Sequence, residues 1–354
     1  MTTLRDLARR LDLSVTQVSR ALNGHADVAA GTRARVQAEA RAQGYHPNAA
    51  ARRLATGRSG MLGLVLPDVP REPEDRLFVQ IVGTLSQHLS RLGRQFVLHI
   101  ADPHDDIVEV HRRLIGGGAF DGFVVLEPEA RDRRVEFLRR RGVPFVIHGR
   151  VDGSMDGPMN GSDRHARFDI DNEGVGRRLT AMLLDAGHGR VAFLNGPERL
   201  SFAQARRRGF LRALAAAGLP EGAGLHRFGD QTEGAGLLAA VAIWGGRAAS
   251  APTGVACSST RLALGLMRGL DALGLAVPRD VSVVVHEDEF PDLRAGALRP
   301  ALAGTRAPLA EAWPHLARLL VAAADGARPD GLRVEGEVAD MPGASVAAPR
   351  RTAR

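Results

Sequence analysis

The chain has 354 residues, 44% of them hydrophobic, and carries a formal net charge of +7. This length is too great for one ordinary domain and predicts two or three. No apolar run is long enough to span a bilayer, and the N-terminus lacks the apolar core of a signal peptide, so we expect a cytoplasmic protein with no membrane partner. The single cysteine, Cys257, excludes an intrachain disulfide framework and a thiolate metal cluster.

Positive charge is concentrated at the N-terminal end of the sequence. Residues 1–60 contain ten arginines and four acidic residues, an excess of six positive charges out of the total of seven. The rest of the chain is almost neutral. This asymmetry predicts a nucleic-acid-binding segment joined to a larger part that binds something else.

Two short amphipathic helices are predicted at the start of this basic segment. Apolar residues recur at helical spacing over residues 3–11 and again after Ser14, which is a suitable N-cap. Asn23 and Gly24 tolerate the left-handed conformation and would end the second helix. Helix, short turn and helix form the helix-turn-helix arrangement, whose second helix lies in the major groove. A third helix is predicted over residues 31–43, with Thr32 as its cap.

The solvent face of the second helix carries side chains that can donate to phosphates or base edges, namely Thr16, Gln17, Ser19 and Arg20. A small helical domain with a polar face is the alternative interpretation. The Arg-rich segment at residues 48–56 argues against that alternative. It has helical composition but is too short to be stable alone, so it would become ordered when docked on DNA.

Three stretches resemble the head of the LacI-type transcriptional regulators: residues 14–23 (SVTQVSRALN), 28–33 (VAAGTR) and 44–54 (GYHPNAAARRL). The resemblance implies that Tyr45 lies at a hinge and that Leu54 is a wedge pushed into the minor groove. Gln17 departs from the family, which usually has threonine there, and this affects a phosphate contact rather than the fold. The implied phosphate contacts are Ser14, Ser19 and Asn23. The implied base contacts are Val15, Thr16 and Arg20. The full set of predicted DNA contacts is Thr3, Ser14, Val15, Thr16, Gln17, Ser19, Arg20, Asn23, Tyr45, Asn48, Arg53 and Leu54.

From residue 61 the pattern changes to alternating strands and helices. The first series has apolar strands at residues 61–66, 95–100, 122–126 and 143–148. A second series starts at residue 167, after a stretch rich in Gly, Asp and Ser. Continuous apolar strands separated by helices predict parallel sheets covered on both faces. The fold class is therefore an α-helical head followed by a two-lobe α/β body.

The body also resembles the LacI-type regulators, in residues 168–172 (FDIDN), 187–196 (GHGRVAFLNG) and 206–210 (RRRGF). Residues 145–150, 257–260 and 280–289 are similar to the α-glucoside operon repressors within that family. The resemblance implies a periplasmic-binding-protein-like body and a late segment that crosses back to the first lobe. A homodimer is our hypothesis, with a tetramer as the alternative, and it is favoured because no heptad segment follows the body. The predicted domains are a helix-turn-helix at 1–46, a hinge helix and linker at 47–60, and an effector-binding and dimerisation domain at 61–354. Lobe 1 is predicted at 61–160 plus 297–325 and lobe 2 at 167–296. Residues 333–354 are predicted to form a last strand and a loose tail.

Two α/β lobes that face each other place a cleft at the carboxyl ends of their strands. A sugar in such a cleft needs bidentate polar partners, for which Arg206, by resemblance, and Glu287 or Asp288 are suited. It also needs an apolar plate such as a Phe ring, although Phe in a helix is more often a core residue. The predicted effector contacts are Phe78, His148, Arg150, Asn195, Phe202, Arg206, Ser259, His286, Glu287 and Asp288.

The sequence favours a repressor of carbohydrate-utilisation genes that binds operator DNA under the control of a sugar, without a metal or cofactor. Ser259-Thr260 stands where the family commonly has Asn-Asp, which argues for a changed ligand. An enzyme is an alternative, but His286 begins an HEDE stretch with no second histidine at ligand spacing. Gly174 and Gly176 lack the third glycine of a dinucleotide site. A sugar-binding transport protein is a third interpretation, against which the basic head counts.

Overall fold

The computed structural model describes residues 2–22, 27–45, 58–67, 76–151, 165–246, 248 and 250–350. The chain divides into two compact units, Met1–Gly60 and Met61–Arg354. Most of the predicted hinge at 47–60 lies outside the described residues, and so do four predicted DNA contacts. These four are Asn23, Asn48, Arg53 and Leu54.

The first unit contains three helices, α1 (Leu4–Leu11), α2 (Val15–Leu22) and α3 (Ala30–Ala42). Thr3 and Asp6 form a reciprocal capping box at the start of α1, and Asp12 takes the left-handed conformation that ends it. The predicted helix-turn-helix is confirmed. Its small core is built from the inward faces of the three helices, with Leu7, Ala8, Val18, Ala21, Val36 and Ala40 buried.

The third helix lies within one residue of its predicted range, but the prediction that Thr32 caps it was wrong. The helix begins at Ala30 with Ala29 as its N-cap, and no side chain caps it, so Thr32 lies inside the helix. Val28 packs against the head core, and its carbonyl oxygen accepts a hydrogen bond from Arg33 Nη2 at 3.2 Å. The chain therefore has to turn into the helix directly after Val28, which is earlier than a Thr32 cap would allow.

The second unit contains two six-stranded sheets, with strand orders β11-β5-β4-β3-β1-β2 and β12-β10-β9-β8-β6-β7. Every pairing is parallel except that of β10 with β12. The strands are β1 (Met61–Leu66), β2 (Gln95–Ile100), β3 (Gly122–Val125), β4 (Phe145–His148), β5 (Ala166–Ile170), β6 (Val191–Leu194), β7 (Gly224–Arg227), β8 (Gly254–Cys257), β9 (Ser282–Glu287), β10 (Ala303–Arg306), β11 (Arg333–Gly336) and β12 (Ala339–Met341).

Helices cover both faces of each sheet, which is why the central strands are apolar along their whole length. Every residue of β3, β8 and β9 is buried. The helices are α4 (Arg76–Arg91), α5 (Ile107–Gly116), α6 (Arg133–Arg140), α7 (Asn172–Asp185), α8 (Ser201–Ala216), α9 (Glu233–Trp244), α10 (Thr260–Ala272) and α11 (Ala312–Ala324). No helix in the described part of the chain is both long and apolar enough to cross a membrane.

The structure corrects the predicted lobe boundaries. β5, which was assigned to lobe 2, pairs with β4 in the first sheet, and β10, which was assigned to lobe 1, pairs with β9 in the second. Helix α11 returns to the first sheet, where Trp313 is fully buried among its apolar side chains. The apolar pattern marks a strand but does not specify its partner, so periodicity could not locate these crossings.

The sequence predicted a loose C-terminal tail, but the segment that ends at residue 350 packs against the second sheet. Ser345 is fully buried, its carbonyl accepts from Val283 N at 2.9 Å, and its hydroxyl accepts from Ala303 N at 2.9 Å. Ala347 N donates to Ser282 Oγ at 3.0 Å. Small residues let this segment lie along the second sheet and satisfy backbone groups beside β9 and β10.

Candidate nucleic-acid interface and interlobe cleft

The start of α2 is fixed by a capping box in which the family-atypical Gln17 takes part. Gln17 N donates to Ser14 Oγ at 3.1 Å, and Gln17 Oε1 accepts from Ser14 N at 3.0 Å. A glutamine at this helix position completes the box, which a threonine could not do in the same way. The amide oxygen of Gln17 is therefore turned back to the helix, and its NH₂ end is the part that can donate to DNA.

The other predicted contacts of the head differ in what their side chains do. Val15 and Thr16 are exposed at the start of α2, and Arg20 lies in its last turn, 2.5 Å from Asp27 Oδ2. Ser19 is half-buried. Thr3 uses its hydroxyl in the cap of α1, and Tyr45 packs against the head core. The exposed polar face of α2 is thus the surface that can enter a groove.

Arg206 is the central residue of the second candidate site. It projects from α8, is only 4% exposed, and lies 4.9 Å from the ring centre of Phe202. Its Nε donates to Asn172 Oδ1 at 3.0 Å and its Nη1 to the carbonyl of Ser258 at 2.8 Å. Asn172 in turn donates to Asp169 at 3.3 Å. These bonds fix the plane of the guanidinium at the carboxyl ends of the strands.

Two glycines bring α7 and α8 close enough to make this arrangement. A Cβ atom on Gly176 would lie 2.0 Å from the carbonyl oxygen of Arg206, and one on Gly209 would lie 2.0 Å from that of Glu173. Either contact would force the helices apart. Gly176, considered above for a dinucleotide site, is therefore explained by helix packing that places Arg206 beside Asn172.

Asp288 interacts electrostatically with Arg206 and with two histidines, His286 and His148. Burial raises the pKa of Asp288, but His286, Arg206 and His148 outweigh this and hold it below its usual value. His286 Nε2 lies 3.4 Å from Asp288 Oδ1, and its Nδ1 is 2.9 Å from Thr305 Oγ1. Burial lowers the pKa of His148 to about 4 and that of Arg206 to about 10. At neutral pH the cleft therefore holds an arginine cation, a carboxylate and neutral His148.

Arg150 and Asp169 extend this cluster into the first lobe. Arg150 Nε donates to Asp169 Oδ2 at 3.0 Å, and its Nη2 donates to Glu335 Oε1 at 3.0 Å. Burial raises the pKa of Asp169 to about 6 despite the opposing effect of Arg150. Together with Phe202 these residues line a cavity of about 70 Å³. Ligand pockets usually measure about 300–1,000 Å³, so a sugar would need the lobes to move apart.

The raised pKa of Asp169 predicts a specific pH dependence of stability. In the folded protein Asp169 keeps its proton up to about pH 6, whereas the ordinary pKa of an aspartate is 3.8. The contribution of the protonated Asp169 to the free energy of unfolding therefore falls as the pH rises from 3.8 to about 6. The difference corresponds to roughly 3 kcal/mol. We expect the stability of wild type relative to Asp169→Asn to fall by about that amount between pH 4 and pH 7, measured by urea denaturation.

A second carboxylate variant controls for general effects of charge. Asp185 is exposed at the end of α7, so Asp185→Asn removes the same charge away from the buried cluster. Half-buried histidines such as His148 and His226 have lowered pKa values and change stability in the opposite direction, but they are common to all three proteins. Parallel curves for wild type and Asp169→Asn would contradict the raised pKa.

Three predicted effector residues are held by structural bonds. Asn195 Oδ1 accepts from Gly196 N at 2.8 Å, and Ser259 Oγ caps α10 by accepting from Leu262 N at 3.3 Å. Glu287 accepts from the backbone N–H groups of Glu289 and Ala295. These roles resemble helix and loop caps more than ligand contacts. Phe78 is half-buried on α4.

A larger pocket, of about 370 Å³, lies beside Glu287, and neither Asn172 nor Phe202 is among the residues that line it. Its charged groups pair with each other, since Glu289 accepts from Arg294 at 3.0 Å and from Arg306 at 3.2 Å. Within the described residues, no group of His, Cys, Asp or Glu side chains has a metal-binding arrangement. The smaller cavity is lined by Asn172 and Phe202, both of which contact Arg206, and is therefore the better candidate for a ligand.

The sequence-based selection missed Asn172 and Asp169, which orient Arg206 and Arg150. Both follow or end β5, at the carboxyl end of a strand, and that position was the available signal. The position after a strand pointed to candidate residues on other strands, but β5 was predicted in lobe 2 although it pairs with β4 in the first sheet. Ser258, whose carbonyl binds Arg206, acts through its backbone and so left no mark in its side-chain identity.

A short backbone pairing joins the two lobes beside the cleft, and we call residues 128–130 and 199–201 the clasp. Glu129 and Leu200 form an antiparallel bridge. Ala130 N donates to the carbonyl of Arg199 at 3.2 Å, and Ser201 N donates to that of Pro128 at 3.0 Å. The first strand of the clasp follows β3, and the second immediately precedes Phe202 and α8. The clasp therefore couples separation of the lobes to the position of the helix that carries Arg206.

Comparison with known proteins agrees with this division of the chain. Residues 3–48 match the family described as bacterial regulatory proteins, lacI family, and residues 180–345 match the periplasmic binding protein-like domain. The transcriptional regulator CelR–cellobiose complex superimposes with a TM-score of 0.66 at 28% identity, covering 98% of this chain and 100% of that chain. The lac repressor dimer bound to operator and the anti-inducer ONPF shares the fold, with a TM-score of 0.71 at 22% identity over 98% of this chain and 99% of that chain.

Curated relatives extend the similarity over nearly the whole chain. The HTH-type transcriptional regulator AglR of Rhizobium meliloti (strain 1021) is 37% identical over 90% of this chain and 86% of its own length. The HTH-type transcriptional regulator RafR of Escherichia coli is 31% identical over 98% of this chain and 99% of its own length. The helix-turn-helix head, the two-lobe body and these relatives together show that the chain belongs to the lacI family of bacterial regulatory proteins.

Proposed function

We propose that this protein is a cytoplasmic repressor of carbohydrate-utilisation genes whose operator affinity is controlled by a sugar bound between its lobes. The observation that supports a sugar ligand is that the buried Arg206 guanidinium lies over the Phe202 ring and interacts electrostatically with Asp288. A planar donor, a carboxylate acceptor and an aromatic face are the groups that hydroxyls and a ring face of a sugar require. The CelR–cellobiose complex supports a sugar ligand for a related cleft.

The proposed DNA-binding part comprises residues 1–46, with residues 47–60 as a hinge that contains the wedge Leu54. Two copies would read a pseudo-palindromic site, because the two-fold symmetry of a dimer is mirrored in its half-sites. The sugar can change DNA affinity only by its different affinity for two states of the body, typically 5–150-fold in this kind of coupling, or about 1–3 kcal/mol. An α-glucoside is the ligand we propose to test first.

The test is binding of the purified full-length protein to its own upstream DNA at one stated salt concentration, repeated with maltose, sucrose, trehalose and glucose. Tight, sequence-dependent binding that changes with one sugar would support the proposal and identify the ligand class. Binding that no sugar changes would remove the α-glucoside assignment and keep the regulator. Equal affinity for all DNA sequences would contradict the proposed operator recognition and leave a sugar-binding or enzymatic body as the alternative.

A further inference from the structure

The acidic residues of the head differ in position, and one of them lies against the candidate DNA-reading face. Asp6 completes the cap of α1, Asp12 ends that helix, and Glu39 lies on α3, 3.8 Å from Arg10. Asp27 instead lies 2.5 Å from Arg20 on α2. The Arg20 and Asp27 side chains are 48% and 52% exposed, so this pair is at the surface.

Stability does not explain a carboxylate at this place. An ion pair this exposed contributes little to folding, because water and salt screen it. On a surface that approaches DNA, a carboxylate also repels the phosphates and so opposes the counterion-release contribution that drives non-specific binding. Asp27 therefore lowers the affinity of the head for the DNA backbone, and a compensating function is expected of it.

The geometry supplies that function through Arg20. A guanidinium has five N–H donors in a planar fork, and Asp27 binds the Nη2 end. The Asp27 carboxylate at the Nη2 end restricts the guanidinium to fewer orientations. Arg20 therefore loses less conformational entropy when it binds two acceptors of one guanine. A DNA phosphate can bind Arg20 in place of the carboxylate only by approaching Asp27. The negative charges of the phosphate and of Asp27 repel each other.

We propose that Asp27 is a specificity-determining residue, which orients Arg20 for a base edge and disfavours its binding to phosphates. This inference rests on the proposed function, since it requires that α2 reads an operator. It assigns Asp27 a role outside the set of DNA contacts predicted from the sequence. Its effect is on the ratio of operator affinity to non-specific affinity rather than on operator affinity alone.

The test compares Asp27→Asn with Glu39→Gln, which removes the same charge from α3, away from Arg20. The operator is the sequence that wild-type protein selects from random duplexes, and a scrambled duplex is the non-specific probe. We expect Asp27→Asn to bind the scrambled duplex about three- to tenfold more tightly at low salt, with a slope of log affinity against log salt steeper by about 0.9, as for one more neutralised phosphate. The operator affinity of Asp27→Asn should rise by less than its affinity for the scrambled duplex, or should fall. Glu39→Gln should change the ratio of operator to scrambled affinity, and the salt slope, by less than Asp27→Asn does.

Arg20 provides the second arm of the test. In an Arg20→Ala background, Asp27→Asn should no longer change the ratio of operator to scrambled affinity. Equal effects of Asp27→Asn and Glu39→Gln, or an effect of Asp27→Asn that persists without Arg20, would show that Asp27 acts only through net charge and would overturn the inference. Failure of wild type to select any sequence would overturn the proposed function as well, so the two failures are distinguishable. Thermal unfolding of each variant checks that the head remains folded.

Discussion

Arg206→Lys is expected to remove the response to the sugar while leaving operator binding intact. The guanidinium donates from Nε and Nη1 to Asn172 and Ser258, which leaves Nη2 to donate to a ligand in the proposed site. A lysine ammonium has one nitrogen and cannot keep both protein bonds and a ligand bond in the same plane. Loss of charge-assisted bonds of this kind corresponds to about 100-fold weaker sugar binding.

Lysine is the appropriate replacement because it keeps a cation beside Asp288. Alanine would remove both the bonds to Asn172 and Ser258 and the positive charge that helps to hold the pKa of Asp288 below its usual value. Isothermal titration with the sugar that responds in the panel, together with operator binding without sugar, measures the two expected results. Arg208→Lys is the matched control, since Arg208 lies on the same helix and pairs with Glu173 at the surface. Unchanged sugar affinity in Arg206→Lys would show that the ligand does not contact this residue.

The succession of strands and helices could be predicted from the sequence because each buried strand is a short apolar run between polar or glycine-containing connections. β9 illustrates this, since all of its residues are buried between two layers of helices. The partners of β5 and β10 could not be predicted in the same way. Strand pairing depends on backbone hydrogen bonds to a neighbour far away in sequence, which leave no pattern in the strand's own residues.

The candidate site was predictable at the level of position but not of side-chain direction. Glu287 and Asp288 are adjacent at the end of β9, and successive side chains of an extended chain point to opposite sides. Glu287 accepts backbone bonds from the loop that follows, whereas Asp288 lies with Arg206 and His286. The sequence offered either carboxylate as a sugar acceptor, and only the path of the chain after β9 distinguishes them.

A disulfide across the clasp, which would hold the cleft closed, is expected to have a large effect on the response to the sugar. Glu129 and Leu200 form the narrow, non-hydrogen-bonded pair of an antiparallel bridge, because the flanking residues make the backbone bonds. Such pairs have Cα atoms about 4.5 Å apart, which lies within the range that disulfides span. The chain's own Cys257 is buried and does not compete for the new thiols.

Oxidised Glu129→Cys/Leu200→Cys protein should bind operator with an affinity that no sugar changes. The cavity of about 70 Å³ lined by Phe202 and Asn172 is too small to admit a sugar unless the lobes separate, and the disulfide prevents this separation at the clasp. Reduction should restore the response, so the same sample, measured by DNA binding before and after dithiothreitol, is its own comparison. Glu129→Cys alone, treated with oxidant, controls for the loss of the Arg199–Glu129 ion pair. A full sugar response in the oxidised double variant would mean that the ligand enters, and the signal passes, without movement of the lobes at this edge.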